Sequence, residues 1–261
     1  MTTLKQFPPL ESDPEIFNEL LHRLGVDTKL KFIDILSLDI DPDVPRPALA
    51  LIFICPYNFP RKSDEEIRER VAKSPFDPRV FWIPQSIREA CGLHAILHSV
   101  YNSDARKNIL PNTPLSRLLE RASTLTSSPE ISCVLEEDNE IEEAHCSIGR
   151  QGSTPLPDAS NNASGQYLAF VPLHEDKPTG KRVVYDIDGS RACRTDKELS
   201  PGQDALSEPV LELIREYIKD LGADGNLEFS LMALVKDNSL PESRIMIYIP
   251  ECALLSESTA K

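Results

Sequence analysis

Two kinds of hydrophobic pattern follow one another in this chain in a set order, and that order restricts the fold more than composition does. A helix comes first, over residues 12 to 25 (SDPEIFNELLHRLG). Ser12 or Asp13 can accept hydrogen bonds from its free first-turn N–H groups, Pro14 suits the first turn, and Gly25 supplies a left-handed stop. Ile16, Leu20, Leu21 and Leu24 form its apolar stripe. Two short β-branched-rich runs follow, Lys31 to Leu38 and Ala48 to Cys55, and read as strands. A helix is predicted around Ser63 to Lys73 and another strand over Arg79 to Ile83. The helices Cys91 to about Tyr101, Thr113 to Ser123 and Pro129 to Arg150 come next, with Ile96, Leu97 and Val100 as the buried stripe of the first. Strands return at Gln166 to Pro172, Arg182 to Ile187, Leu227 to Val235 and Arg244 to Ile249, interrupted by a helix from about Ala205 to Leu221. With no internal repeat and no linker between two cores, this order predicts a single α+β domain with an antiparallel or mixed sheet covered by helices.

Composition narrows the function. The chain has 261 residues, enough to bury a sizeable core. It carries 42 acidic against 28 basic residues, a formal net charge of −14. Such a surface repels phosphate backbones, so nucleic acid is not an expected partner. The longest apolar run, Pro47 to Pro56, is too short to span a bilayer, and the N-terminus lacks the basic and apolar regions of a signal peptide. Six cysteines lie scattered with no C-x-x-C pair, which fits reduced thiols and a cytoplasmic setting. A monomer without cofactor is expected. Residues Gly152 to Gly165 (GSTPLPDASNNASG) have no periodicity and read as a long loop, a type that often serves as a lid.

The segment Phe81 to Asn102, FWIPQSIREACGLHAILHSVYN, carries the chemistry. It puts Cys91 at the first turn of a helix, where the dipole and unpaired N–H groups lower a thiol pKa. Gly92 would let the backbone approach a substrate carbonyl, and Gln85, six residues upstream, could donate its amide N–H to that carbonyl's developing charge. A buried cysteine that merely begins a core helix has the same appearance. These residues alone leave both readings open.

The stretch QSIREACGLHAIL (residues 85–97) resembles the nucleophile segment of the ubiquitin C-terminal hydrolases, papain-like cysteine hydrolases whose segment reads roughly Q-x-x-x-N-x-C-G-x-x-A. HRLGV, KFIDILSL, EEAHCSIGRQG and YDIDGSR are similar to further family segments in the same order, so the resemblance covers roughly residues 8 to 236. It implies an α/β/α sandwich with a mostly antiparallel sheet and a knotted backbone. It implies a hydrolase-like domain over residues 1–240, then a C-terminal strand and short tail over 241–261. The implied reaction is thiol-dependent hydrolysis after the C-terminal glycine of ubiquitin, with ubiquitin or a ubiquitin-like protein as partner. Cys91 falls on the nucleophile, Gln85 on the oxyanion donor, Asp188 on the acid that orients the catalytic histidine, and the loop 152–165 on the crossover loop.

Three positions depart from the family pattern. Where the family's histidine opens the strand after the crossover loop, this chain has Gln166. Glu89 stands for the family's asparagine and Leu93 for its threonine. A glutamine amide cannot take a proton near neutral pH, so it neither stabilises a thiolate nor protonates a leaving amine. Loss of such assistance costs about 10²–10⁴ in rate. Asp188 would lose the ring it orients, and the Glu89 carboxylate would raise the thiol pKa. The five histidines are His22, His94, His98, His145 and His174. His94 lies one turn past Cys91, His94 and His98 have an i, i+4 spacing used for zinc but no third candidate ligand, and His174 could reach the site only if its hairpin folded back, so no replacement base and no metal site are expected. His145 matches a family histidine that is not the base. Three functions follow: a ubiquitin-binding relative without turnover, a weakly active hydrolase, or an interaction scaffold.

Overall fold

The computed structural model describes residues 3–56, 63–151, 165–174, 180–223 and 229–237. Most of the 152–165 loop and all of the 241–261 segment, including the strand expected at Arg244 to Ile249, lie outside the described residues.

The order of elements is α1 (Pro14–Arg23), β1 (Leu30–Asp34), β2 (Ala48–Pro56), α2 (Asp64–Ala72), α3 (Cys91–Asn102), a 3-10 turn (Asp104–Asn108), α4 (Pro114–Ser123), α5 (Ser128–Glu136), α6 (Asn139–Gly149), β3 (Gly165–His174), β4 (Arg182–Ile187), β5 (Ala192–Leu199), α7 (Glu208–Ala223) and β6 (Ser230–Lys236). The strands form one six-stranded sheet in the order β1-β6-β2-β3-β4-β5, and every neighbouring pair is antiparallel. The central strand β2 shows why the sheet is covered twice. Ala50, Ile52 and Ile54 point into a core shared with α1 and α3, while Leu51, Phe53 and Cys55 point into a second core built on α7. Both faces of a strand are then apolar, and a continuous apolar run replaces alternation. The fold is the expected α+β sandwich.

Local signals placed most of the elements. Asp13 caps α1 by accepting from the Glu15 N–H, and Gly25 ends the chain's helical course at φ +106°. Phe17, absent from the predicted stripe, is fully buried and stacks beside Tyr167 at 5.8 Å. The single helix expected over Pro129 to Arg150 is two helices. Asp138 breaks it, because its carboxylate accepts from the Ile141 N–H and starts α6 as a new cap. Strand β5 was not expected. Its sequence, ACRTDKEL, is rich in poor strand formers, and it lies at the sheet edge, where charges discourage pairing with other chains.

The expected strand Arg79 to Ile83 does not form. Its backbone finds partners on side chains of α3 instead of a neighbouring strand: Asn102 Oδ1 accepts from Phe81 N–H at 2.7 Å, and His98 Nε2 from Ile83 N–H at 3.2 Å. Helix α3 itself is buried all round, Gly92 to Asn102 included, and not along one stripe.

Two predictions follow from this packing. A Cβ at Gly25 would sit 2.2 Å from Thr113 Cβ, in a backbone region L residues rarely adopt. Gly25→Ala should therefore lower the urea midpoint at unchanged slope, a loss of about 2 kcal/mol or more. Burial also pushes His94 down to about 3, His145 down to about 4, and His98 well below the ordinary range. The unfolded chain binds protons at these rings from about pH 6.5 downward while the native state does not. Stability should thus be full above that pH and fall as pH drops towards 4, by about 1 kcal/mol per unit for each ring. Urea unfolding from pH 7.5 to 4.5 measures the slope; a flat profile would mean the rings are not held neutral.

Candidate active site

Cys91 opens α3 behind Ala90, a cap residue that offers no side-chain acceptor. The N–H groups of Cys91 and Gly92 are therefore free to favour negative charge on the sulfur. The opposing effects are larger. Burial, and then the Glu89 carboxylate, push the thiol up to about 12. Of the two opposing influences read from the sequence, the helix terminus lowers the thiol and Glu89 raises it, and desolvation adds to the second. The thiol keeps its proton and donates it to Gly165 O at 3.8 Å.

Gly165 and Gln166 begin β3, which runs antiparallel to β2 with Gln166 opposite Cys55. The Gln166 amide donates from Nε2 to Asp188 Oδ2 at 2.9 Å. Asp188 follows β4 and folds its own turn: Oδ1 accepts from the Ser190 N–H and, at 3.0 Å, from the Arg191 N–H. Asp188 therefore has partners without an imidazole. Arg191 stands 3.6 Å away through Nε and holds Asp186 through Nη1.

Gln85 lies in the loop before α3. Its N–H donates to Gly189 O at 2.7 Å, and the Arg70 guanidinium on α2 binds both Gly189 O (2.5 Å) and Gln85 O (2.6 Å). The approach needs Gly189, since a Cβ there would lie 2.4 Å from Gln85 Cβ. The Gln85 side-chain Nε2 donates to Ile87 O at 3.0 Å, which uses one of its two N–H groups. Cys91, Gln85, Gln166, Asp188 and Glu89 line one cleft. The structure thus brings together all four residues singled out in the sequence, from three separate parts of the chain.

Glu89 adopts φ +59°, a left-handed conformation that asparagine tolerates far better than glutamate. Gly92 differs from expectation. A Cβ there would meet Leu10 Cδ1 at 3.1 Å, so this glycine makes room for the N-terminal segment and not for a substrate. Arg70 and Gly189 were missed in the sequence; nothing in the run DEEIRERVAK separates Arg70 from Arg68.

The histidines have other partners. His22 Nε2 is 2.8 Å from Leu30 O, and His145 Nε2 is 2.8 Å from Pro8 O. His94 and His98 both turn to Ile83. His174 closes β3, eight residues from Gln166, or about 26 Å along an extended strand. Among the described residues no group of three or more His, Cys, Asp or Glu is placed to hold a metal, and no helix is long and apolar enough to cross a membrane.

The profile of the family "Ubiquitin carboxyl-terminal hydrolase, family 1" matches residues 7–229. The chain belongs to this family. Its members are cysteine-type ubiquitin hydrolases. Ubiquitin carboxyl-terminal hydrolase isozyme L1 of Homo sapiens is 26% identical over 238 residues, covering 88% of this chain and 99% of that protein. A ubiquitin carboxyl-terminal hydrolase of Aplysia californica is 25% identical over 225 residues, covering 84% and 97%. In fold, the chain is similar to the Trichinella spiralis UCH37 catalytic domain, solved bound to ubiquitin vinyl methyl ester. That match has a TM-score of 0.65 and 22% identity, over 88% of this chain and 95% of that one.

Glu89 offers a direct test of the electrostatics. Glu89→Gln removes the carboxylate beside Cys91 and should lower the thiol pKa, raising the iodoacetamide rate at Cys91 by a few-fold to about tenfold at fixed pH. Mass spectrometry of the Cys91 peptide gives the rate. Glu89→Asn should match that gain and also stabilise the fold, by relieving the left-handed strain. An unchanged rate in both variants would remove Glu89 from the account.

Proposed function

We propose that this chain is a ubiquitin-binding member of the family in which thiol chemistry is strongly attenuated. Cys91 takes the nucleophile's role, Gln85 that of oxyanion donor, and Asp188 that of the orienting acid, here holding Gln166 where the family has its histidine. One observation carries this reading: among the described residues, the side chain that bridges from β3 to Asp188 beside Cys91 is the amide of Gln166. Attack of the sulfur on a carbonyl requires the thiol proton to leave, and expulsion of an amine requires a proton to arrive. An amide does neither near neutral pH, and the sulfur starts from a pKa near 12. The five described cysteines are free thiols, which supports a reducing compartment such as the cytoplasm.

A second reading, a slow hydrolase, is favoured by the cleft that Cys91 and Gln85 share. Ubiquitin vinyl methyl ester, used beside Cys91→Ala and a non-covalent ubiquitin titration, separates the two. Measurable binding with capture at least 10²-fold slower than in an isozyme L1 control supports the proposal. Rapid capture that depends on Cys91 would move the hydrolase reading ahead, and neither binding nor capture would leave only a scaffold. Gln166→His should restore turnover partly, and Gln166→His with Glu89→Asn further. Full turnover from the single change would show that Glu89 does not oppose activation.

A further inference from the structure

Helix α3 carries three polar residues at four-residue spacing, His94, His98 and Asn102, which place their side chains on one face. All three are buried, at 1%, 0% and 8% exposure. Buried polar groups of this kind favour partners; His94 Nε2 and His98 Nδ1 have none among the described residues, and the hydrogen bonds that the three side chains do make follow a pattern. Asn102 Oδ1 accepts from Phe81 N–H at 2.7 Å while its Nδ2 donates to Phe81 O at 2.8 Å. His98 Nε2 accepts from Ile83 N–H at 3.2 Å, and His94 Nδ1 donates to Ile83 O at 3.1 Å. Since Ile83 N–H can only donate and its carbonyl only accept, His98 is neutral with its proton on Nδ1, and His94 carries a proton on Nδ1.

Both backbone groups of residue 81, and both of residue 83, are therefore satisfied by side chains of a single helix. A neighbouring strand would satisfy the same alternate residues in the same way. The intervening residue points elsewhere, as in a strand: Trp82 donates its indole N–H to Asp188 O at 2.8 Å. Pro84 then ends the pattern, having no N–H to offer, and its carbonyl accepts from Ser132 Oγ at 2.6 Å. Gln85 comes next.

We infer that His94, His98 and Asn102 act as positioning residues for Gln85. They touch neither cleft nor substrate. They register the 81–85 segment against the helix that begins with Cys91, so one rigid element sets where the Gln85 amide lies relative to the sulfur. This inference rests on the reading that Gln85 and Cys91 form one reactive site. It also accounts for the buried i, i+4 histidine pair without a metal, and for the apolar FWI run that is extended but has no strand beside it.

The test compares His98→Leu, which loses the acceptor, with His98→Gln, whose amide oxygen can replace it. Hydrogen exchange of the peptide holding residues 81–85 is read against the slowest-exchanging amides of β2 and β6. His98→Leu should speed exchange in that peptide at least tenfold more than in the sheet, and His98→Gln should recover most of the protection. Equal acceleration everywhere, or none at residues 81–85, would overturn the inference. If His98→Leu fails to fold, Asn102→Ala is read the same way at Phe81. In a second arm, capture of ubiquitin vinyl methyl ester should fall about tenfold in His98→Leu, while ubiquitin affinity and the iodoacetamide rate at Cys91 change less than twofold. Proportional loss of all three would mean a merely structural role. If even the unaltered protein neither binds nor captures ubiquitin, the proposed function fails, and hydrogen exchange still decides whether the three side chains register the segment.

Discussion

Enclosing α3 between the sheet and the helical layer strips water from Gly92 to Asn102, so a polar group there is stabilised by whatever partner the protein supplies. That preference organises the site. Along the helix the backbone of residues 81 and 83 supplies partners for His94 Nδ1, His98 Nε2 and the Asn102 amide, while His94 Nε2, His98 Nδ1 and Ser99 Oγ have no hydrogen-bond partner among the described residues. At the N-terminal end is Cys91, whose thiol has the Gly165 carbonyl as acceptor and two first-turn N–H groups nearby. The same burial that gives the helix its rigidity therefore works against ionisation of the sulfur. A buried thiol becomes a thiolate at neutral pH only beside a compensating positive charge.

The surroundings supply the opposite sign. Glu89 adds a negative charge two residues before the sulfur, from a backbone conformation that glutamate adopts at a cost of about 1 kcal/mol or more. Gln166 is neutral at any pH of interest, and its hydrogen bond to Asp188 satisfies that carboxylate without adding a cation. Arg191 is cationic and close to Asp188, but it is committed to Asp186 and Tyr217 on the α7 side of the sheet.

Much of this was legible in the sequence, for identifiable reasons. The cap at Asp13 located α1 because capping depends on local hydrogen bonds alone, and the ranges expected for α2 and α4 begin at Ser63 and Thr113, which the structure shows to be their caps. Cys91, Gln85, Asp188 and Gln166 were found by their segments, and the fold brings those segments to one cleft. What failed depended on tertiary partners. The 79–83 run has strand-like composition, yet its partners are side chains rather than a strand. The β5 edge is charged and gives no hydrophobic alternation. Gly92 and Gly189 look alike as residues beside chemistry, but only the packing tells that one yields to Leu10 and the other to Gln85. Strand order, with β6 inserted between β1 and β2, leaves no trace in local pattern.

The division between scaffold and reactive groups explains how such a site can persist. The groups that hold the cleft together, Arg70 on two carbonyls, Asp188 in its own turn and the α3 side chains on residues 81 and 83, bond to backbone, and none of these bonds involves position 166. Replacing a base by an amide there removes a proton acceptor while leaving a donor for Asp188, so the fold loses no buried partner. Under the proposed reading, binding and turnover are then separable by construction. On that reading the scaffold shapes the surface for a ubiquitin tail, and Gln166 and Glu89 set the rate of bond cleavage. Family membership follows from the scaffold, and activity from the site.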